Sequence, residues 1–227
     1  MVGSGAGVPP FFPVEATVEE LDSVDAILPG GLWLTNYQGA ANVALLRKLK
    51  ITHIAAVGAE FEDDNLAGFV YWKRNLHDTE SQAAAMGSAM HDGAKFIHQA
   101  IEGSGRVLVH CAAGISRSST LVLAYFLLHR KQSLHDAFRE VIGRRRVVWP
   151  NDGFMGTLIS LEKTLRGGEA SIALEEYIAW SDYEATAAEI AQSRAAYDSQ
   201  PALENVAEPD HRARGGADRT VGARGPR

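Results

Sequence analysis

The chain has one cysteine, Cys111, among its 227 residues. No intrachain disulfide can form and no cysteine-rich zinc module can be built, a usage that fits a reducing compartment. Apolar runs are short. The longest, LVLAYFLL at 121–128, falls below the roughly 18 residues a membrane span needs and stops at His129-Arg130-Lys131. The stretch MVGSGAGVPPFFPVEATVEE has no basic segment followed by an apolar core, so no secretory leader is expected. Gly3 follows Val2, and the myristoylation pattern, with glycine second, is absent. Basic charge is not in excess: 22 Lys and Arg face 28 Asp and Glu, for a net charge of −6. That balance argues against a nucleic-acid coat or a polybasic membrane anchor. The eight histidines show no HxH or HExxH spacing, so no metal is expected. The expectation is a soluble cytoplasmic protein, the nucleus left open, that binds neither nucleic acid nor membrane and needs no cofactor. Its oligomeric state is not legible.

What is present can bury a core, since 46% of the residues are hydrophobic and 22% charged. Residues 1–25 read as a flexible Gly/Pro-rich lead with a short helix carrying Val14, Val18, Leu21 and Val24 at helical spacing. LPGG at 28–31 punctuates. Short strands are predicted at Leu32–Leu34, 51–57 (ITHIAAV), 69–72 (FVYW) and 106–110 (RVLVH). The last is a short apolar run rich in β-branched valine, the mark of a strand covered on both faces. Helices are predicted at Asn42–Lys50, His91–Glu102, Ser118–Arg130, Leu134–Ile142 and Phe154–Leu165. Strands alternating with helices, then a run of helices, indicate an α/β domain over 26–166: a central, mostly parallel sheet flanked by helices. After Gly167-Gly168 a helical extension is predicted over 167–199, and residues 200–227, without an aromatic side chain, read as a disordered tail.

The chemistry gathers in RVLVHCAAGISRSSTLVLAY. A strand ends at His110, a loop carries Cys111 to Arg117, and a helix begins near Ser118. Backbone N–H groups of a glycine-turned loop and a helix N-terminus converge on an anion. Gly114 can take the positive φ such a cradle requires. The same groups favour Cys111 as a thiolate, and Arg117 offers a planar fork to two phosphate oxygens. A thiolate, an anion cradle and a guanidinium in one loop suit displacement at phosphorus through a cysteinyl-phosphate. A cysteine at a strand end is more often a small buried hydrophobe. Here His110, Gly114 and Arg117-Ser118 stand at the required offsets around it.

HCAAGISRS resembles the signature loop of the protein-tyrosine phosphatase superfamily, His-Cys-x5-Arg-Ser/Thr, in the Ala-Gly-x-Ser-Arg-Ser form of dual-specificity phosphatases. LPGGLWL, LKITHIAAV, LHDTESQ and VVWPNDGFMGTLISLE fall in that family's order and spacing, so the resemblance covers about 26–166. It implies that fold, and hydrolysis of phosphotyrosine, phosphoserine and phosphothreonine in a phosphorylated protein substrate. Cys111 is then the nucleophile, Arg117 the phosphate-binding arginine, His110 the loop's buttress and Ser118 a hydroxyl assisting phosphoenzyme breakdown, or simply a helix cap. Ala112, Ala113, Gly114, Ile115 and Ser116 supply the amides. Asp78, 33 residues before Cys111, stands where the family places its general acid, with Asp63, Asp64 and Glu80 as rivals. Asn151 matches the asparagine that supports the loop, and can also cap a helix. Arg146 is expected at the pocket mouth, holding a second phosphate or an acidic stretch of substrate, or else on a solvated face. None of Ala112, Ala113, Ile115 and Ser116 is basic, which disfavours an inositol lipid. A non-catalytic phosphate reader and a sulfur-transfer or arsenate-reducing enzyme are the alternatives. Cys111, Arg117 and Asp78 are all present, which weighs against the first; the second needs no acid at Asp78, and reductases commonly need further cysteines.

Overall fold

The computed structural model describes residues 17–58 and 66–181. Its core is a five-stranded sheet in the order β1-β2-β5-β3-β4. The strands are β1 (Asp25–Leu28), β2 (Leu32–Thr35), β3 (His53–Val57), β4 (Val70–Arg74) and β5 (Val107–His110). Only β1 runs antiparallel to its neighbour; the other three pairings are parallel. Parallel strands need crossovers that cover both faces, and each central strand is accordingly apolar on both. Leu32, Leu34, Ala55, Val57, Val107 and Val109 face the large cluster. Trp33, Ile54 and Leu108, one residue out of phase, face the smaller one.

The smaller face is covered by α2 (Tyr37–Ala41) and α3 (Val43–Lys48), through Ala40 and Leu46. The larger face carries α4 (Ala83–Glu102), α5 (Arg117–His129), α6 (Leu134–Ile142) and α7 (Asp152–Leu165). Helix α5 is apolar nearly all round because the other helices and the sheet enclose it; Arg117 to Leu127 are all buried. No described helix is long and apolar enough to cross a membrane.

Two expectations need correcting. The helical pattern of Val14 to Val24 closes as α1 (Val18–Asp22), held by a Thr17–Glu20 capping box. The chain then turns into β1, whose Ile27 is buried in the large core. The predicted short helix thus ends at Asp22, short of Val24. Helix α4 begins at Ala83, eight residues before the predicted His91. Its first turns, AAAMGSAM, blur the apolar stripe with small residues, yet alanine is the strongest helix former and Met86, Ala89 and Met90 are buried. Beyond α7, α8 (Leu174–Ser181) is helical. The rest of the expected extension and tail, the lead before Thr17 and the rival acids Asp63 and Asp64 lie outside the described residues.

Candidate active site

The site lies at the carboxyl end of β5, the middle strand. His110, in register with Thr35 of β2 and Ala56 of β3, is the strand's last residue and is buried. Cys111 follows and is buried in turn. The loop then wraps its sulfur: the Gly114 N–H donates to Sγ at 3.2 Å, and the Ser118 hydroxyl lies 3.1 Å away. Gly114 has φ +69°, and a β-carbon there would sit 2.6 Å from both Arg145 Nη2 and the Thr35 carbonyl oxygen. Only glycine satisfies both the backbone and the space. Ala112 and Ala113 are exposed at the rim, Ile115 is half-buried and Ser116 buried.

Helix α5 starts at Arg117, one residue earlier than predicted, so its N-terminal N–H groups and the positive end of its dipole point into the loop. The Ser119 hydroxyl donates to the carbonyls of Ile115 and Ser116, fastening the loop to the helix. Arg117 donates from Nη1 to the Leu76 carbonyl at 3.1 Å, and its Nε lies 3.5 Å from Asp78 Oδ2. Asp78 follows β4 and keeps its side chain about a third exposed, at 35%. Its Oδ1 accepts from Ser116 Oγ at 2.7 Å and from Asn151 Nδ2 at 2.8 Å. The Asn151 N–H donates to Ser116 Oγ at 3.0 Å, closing the triangle, while Asn151 Oδ1 caps α7 through the Phe154 N–H. Asn151 thus caps α7 while it also contacts Ser116 of the loop. Glu80, the remaining rival, sits exposed in the 3₁₀ turn Glu80–Gln82.

The arginine cluster sorts differently from expectation. Arg146 does not stand free at the mouth: its side chain is 9% exposed and its Nη1 lies 3.5 Å from Glu20 of α1. A guanidinium already paired and desolvated is poorly placed to collect a second phosphate. The residue that reaches the loop is its neighbour. Arg145, 1% exposed, donates from Nε to the Gly114 carbonyl at 2.9 Å. From its other nitrogens it reaches Asp25 at 2.8 Å, the Leu21 carbonyl at 2.9 Å and the Ser23 carbonyl at 3.2 Å. Burial pushes the Asp25 carboxyl above its ordinary range, with Arg145 pulling it partway back. Three consecutive arginines offered no signal to separate these roles. The Ser116 side chain was missed as well, since the motif only asks for its amide.

A model described as "Dual specificity phosphatase, catalytic domain" matches residues 32–164. The chain belongs to that family. It is a protein phosphatase that hydrolyses phosphotyrosine and phosphoserine or phosphothreonine in proteins by the cysteinyl-phosphate route general to the family. Dual specificity protein phosphatase 26 of Bos taurus is 38% identical over 151 residues, covering 63% of this chain and 69% of its own. Dual specificity protein phosphatase 1 of Arabidopsis thaliana is 33% identical, covering 64% and 72%. Among solved structures, a mouse dual specificity phosphatase complexed with zinc tungstate superposes with TM-score 0.60 at 27% identity, covering 68% of this chain and 93% of that one. The human tyrosine phosphatase-like serine/threonine/tyrosine-interacting protein gives TM-score 0.54 at 30% identity, covering 62% and 96%. The family excludes the sulfur-transfer and arsenate-reducing alternatives. Among the described residues of the phosphatase, no group of three or more His, Cys, Asp or Glu could hold a metal ion.

Proposed function

We propose that Cys111 and Asp78 are the nucleophile and the general acid–base of this phosphatase, acting on singly phosphorylated proteins. The Cys111 sulfur attacks phosphorus, the bond from phosphorus to the substrate oxygen breaks, and the Asp78 carboxyl passes its proton to that oxygen. Water then attacks the cysteinyl-phosphate, Asp78 takes the water's proton, and the sulfur–phosphorus bond breaks to release inorganic phosphate. The amides of 112–117 and the Arg117 guanidinium carry the charge on the equatorial oxygens. Ser118, 3.1 Å from the sulfur, donates to it as it becomes the leaving thiolate. His110 buttresses the loop from the strand. Asn151 and Ser116 hold Asp78 where a departing oxygen will lie. A reducing cytoplasm suits a lone catalytic thiol, and the net charge of −6 speaks against nucleic acid as a partner.

One observation carries this reading: Asp78 and Arg117, from segments far apart in the chain, meet over the loop that holds Cys111. With 4-nitrophenyl phosphate and phosphopeptides as paired substrates, Cys111→Ser abolishes turnover of both. Asp78→Asn lowers kcat/KM on phosphopeptides by about 10²-fold or more and largely spares kcat/KM on the activated ester, because that ratio reports formation of the cysteinyl-phosphate and not its hydrolysis. Equal loss on the two would assign the acid elsewhere. Arg146→Ala leaves the preference between singly and doubly phosphorylated peptides unchanged, because Glu20 already occupies that guanidinium.

A further inference from the structure

Helix α8 lies beyond the residues matched by the family model, 32–164, yet it packs against the segment that holds the acid. The chain leaves α7 through Gly167 and Gly168, at φ +71° and +109°, and doubles back. Its return is pinned by Glu162, a buried carboxylate that accepts from the Ser171 N–H at 2.8 Å and the Ser171 hydroxyl at 2.9 Å. The same carboxylate accepts from the Leu134 N–H at the start of α6. Ile172, Tyr177 and Trp180 then enter the core.

Tyr177 is fully buried. Its ring stacks on Trp149 at 4.8 Å and meets the edge of Phe138 at 6.0 Å. Its hydroxyl donates to the Pro150 carbonyl at 2.6 Å. That carbonyl belongs to the peptide unit whose N–H is Asn151's, which donates to Ser116 Oγ. One residue earlier, the Trp149 N–H donates to the Ile115 carbonyl of the phosphate loop at 3.0 Å. Residues 149–151 are thus held from outside by α8 and hold the loop and Asp78 from within.

We propose that Tyr177 is a positioning residue for the proton-transfer step: by fixing the Pro150–Asn151 peptide it aims Asn151, and through it Asp78, at the leaving oxygen. The inference rests on the reading of Asp78 as general acid. A hydroxyl-to-carbonyl bond of this kind is worth about 1 kcal/mol, or about fivefold in rate if spent on geometry. The test measures kcat/KM, which reports formation of the cysteinyl-phosphate, in the full chain on aryl phosphates of graded leaving-group acidity. Tyr177→Phe, which keeps the ring and removes the hydroxyl, lowers kcat/KM about fivefold on phenyl phosphate and about twofold or less on 4-nitrophenyl phosphate. It thereby steepens the dependence on leaving group in the direction of Asp78→Asn. Trp149→Phe, which keeps the backbone bond to Ile115 and weakens the stack, steepens it in the same sense and stands in if the first variant does not fold. Ile178→Ala, on the exposed side of α8, leaves the dependence unchanged. If Asp78→Asn steepens the dependence and neither Tyr177→Phe nor Trp149→Phe does, α8 is only scaffolding and the proposal is wrong. If Asp78→Asn itself leaves it flat, the acid assignment fails first and this inference falls with it.

Discussion

The phosphate loop is braced from two sides, and the braces are built from opposite materials. On the N-terminal side a buried guanidinium, Arg145, gathers Gly114, Leu21, Ser23 and Asp25. On the C-terminal side a neutral aromatic stack, Phe138, Trp149 and Tyr177, holds residues 149–151 and ends in one hydroxyl bond. The charged brace must offset a large desolvation cost, so it works only while every partner is in place. The aromatic brace draws on buried area and tolerates loss of its single polar contact. The two should therefore fail differently.

The sharpest way to break the comparison is at Arg145. Arg145→Met strips the loop carbonyl of its donor and leaves the half-buried Asp25 without its cation, costing about 3 kcal/mol in denaturant unfolding. A loss below 1 kcal/mol would mean the ion pair is replaceable and the two braces are alike. Gly114→Ala strikes the same side through the backbone. The strained φ and the close approach to Arg145 and Thr35 cost about 1–3 kcal/mol, and turnover falls by about 10²-fold as the cradle shifts. On the aromatic side, Tyr177→Phe costs only about 1 kcal/mol in thermal unfolding, since the stack survives.

The smallest effect is in pH. The Asp25 carboxyl is raised in the folded state, so the native protein holds more protons than the unfolded chain between the unfolded value, about 4, and the folded one. Its contribution to stability therefore falls as pH rises through that window and recovers on acidification. Asp25→Asn removes this component, so stability measured from mild acid to neutrality shows the wild type gaining relative to the variant toward low pH. Burial pushes the Tyr177 phenol up instead. In the folded state it keeps its proton longer than the unfolded chain does, so Tyr177→Phe leaves the acid and neutral profile unchanged and alters it only above about pH 10.

Legibility in the sequence followed locality. The strand-loop-helix around Cys111 could be read because its requirements lie within a few residues: a β-branched run, a glycine, an arginine and a helix start. Helix α6 was read with its ends in place because its apolar stripe is clean. Strand β1 was not, because Asp25–Leu28 is short and carries no alternation. Its identity comes from pairing with Leu32–Leu34. Glu162, the buried anchor of the returning chain, looked like any charge on a helix surface.

By itself, then, the order of residues determined the chemistry of this phosphatase: a sulfur nucleophile, an amide cradle and a guanidinium, all on one continuous stretch whose local conformation its own glycine and helix start dictate. Tertiary structure decided what surrounds them. It chose Arg145 over Arg146 as the residue that grips the loop, set Asp78 against Ser116 and Asn151, and brought Tyr177 onto the Pro150 carbonyl. Those choices depend on which side chains end up buried together across 27 to 73 residues of chain. Burial is a property of the packed fold, not of any window of sequence.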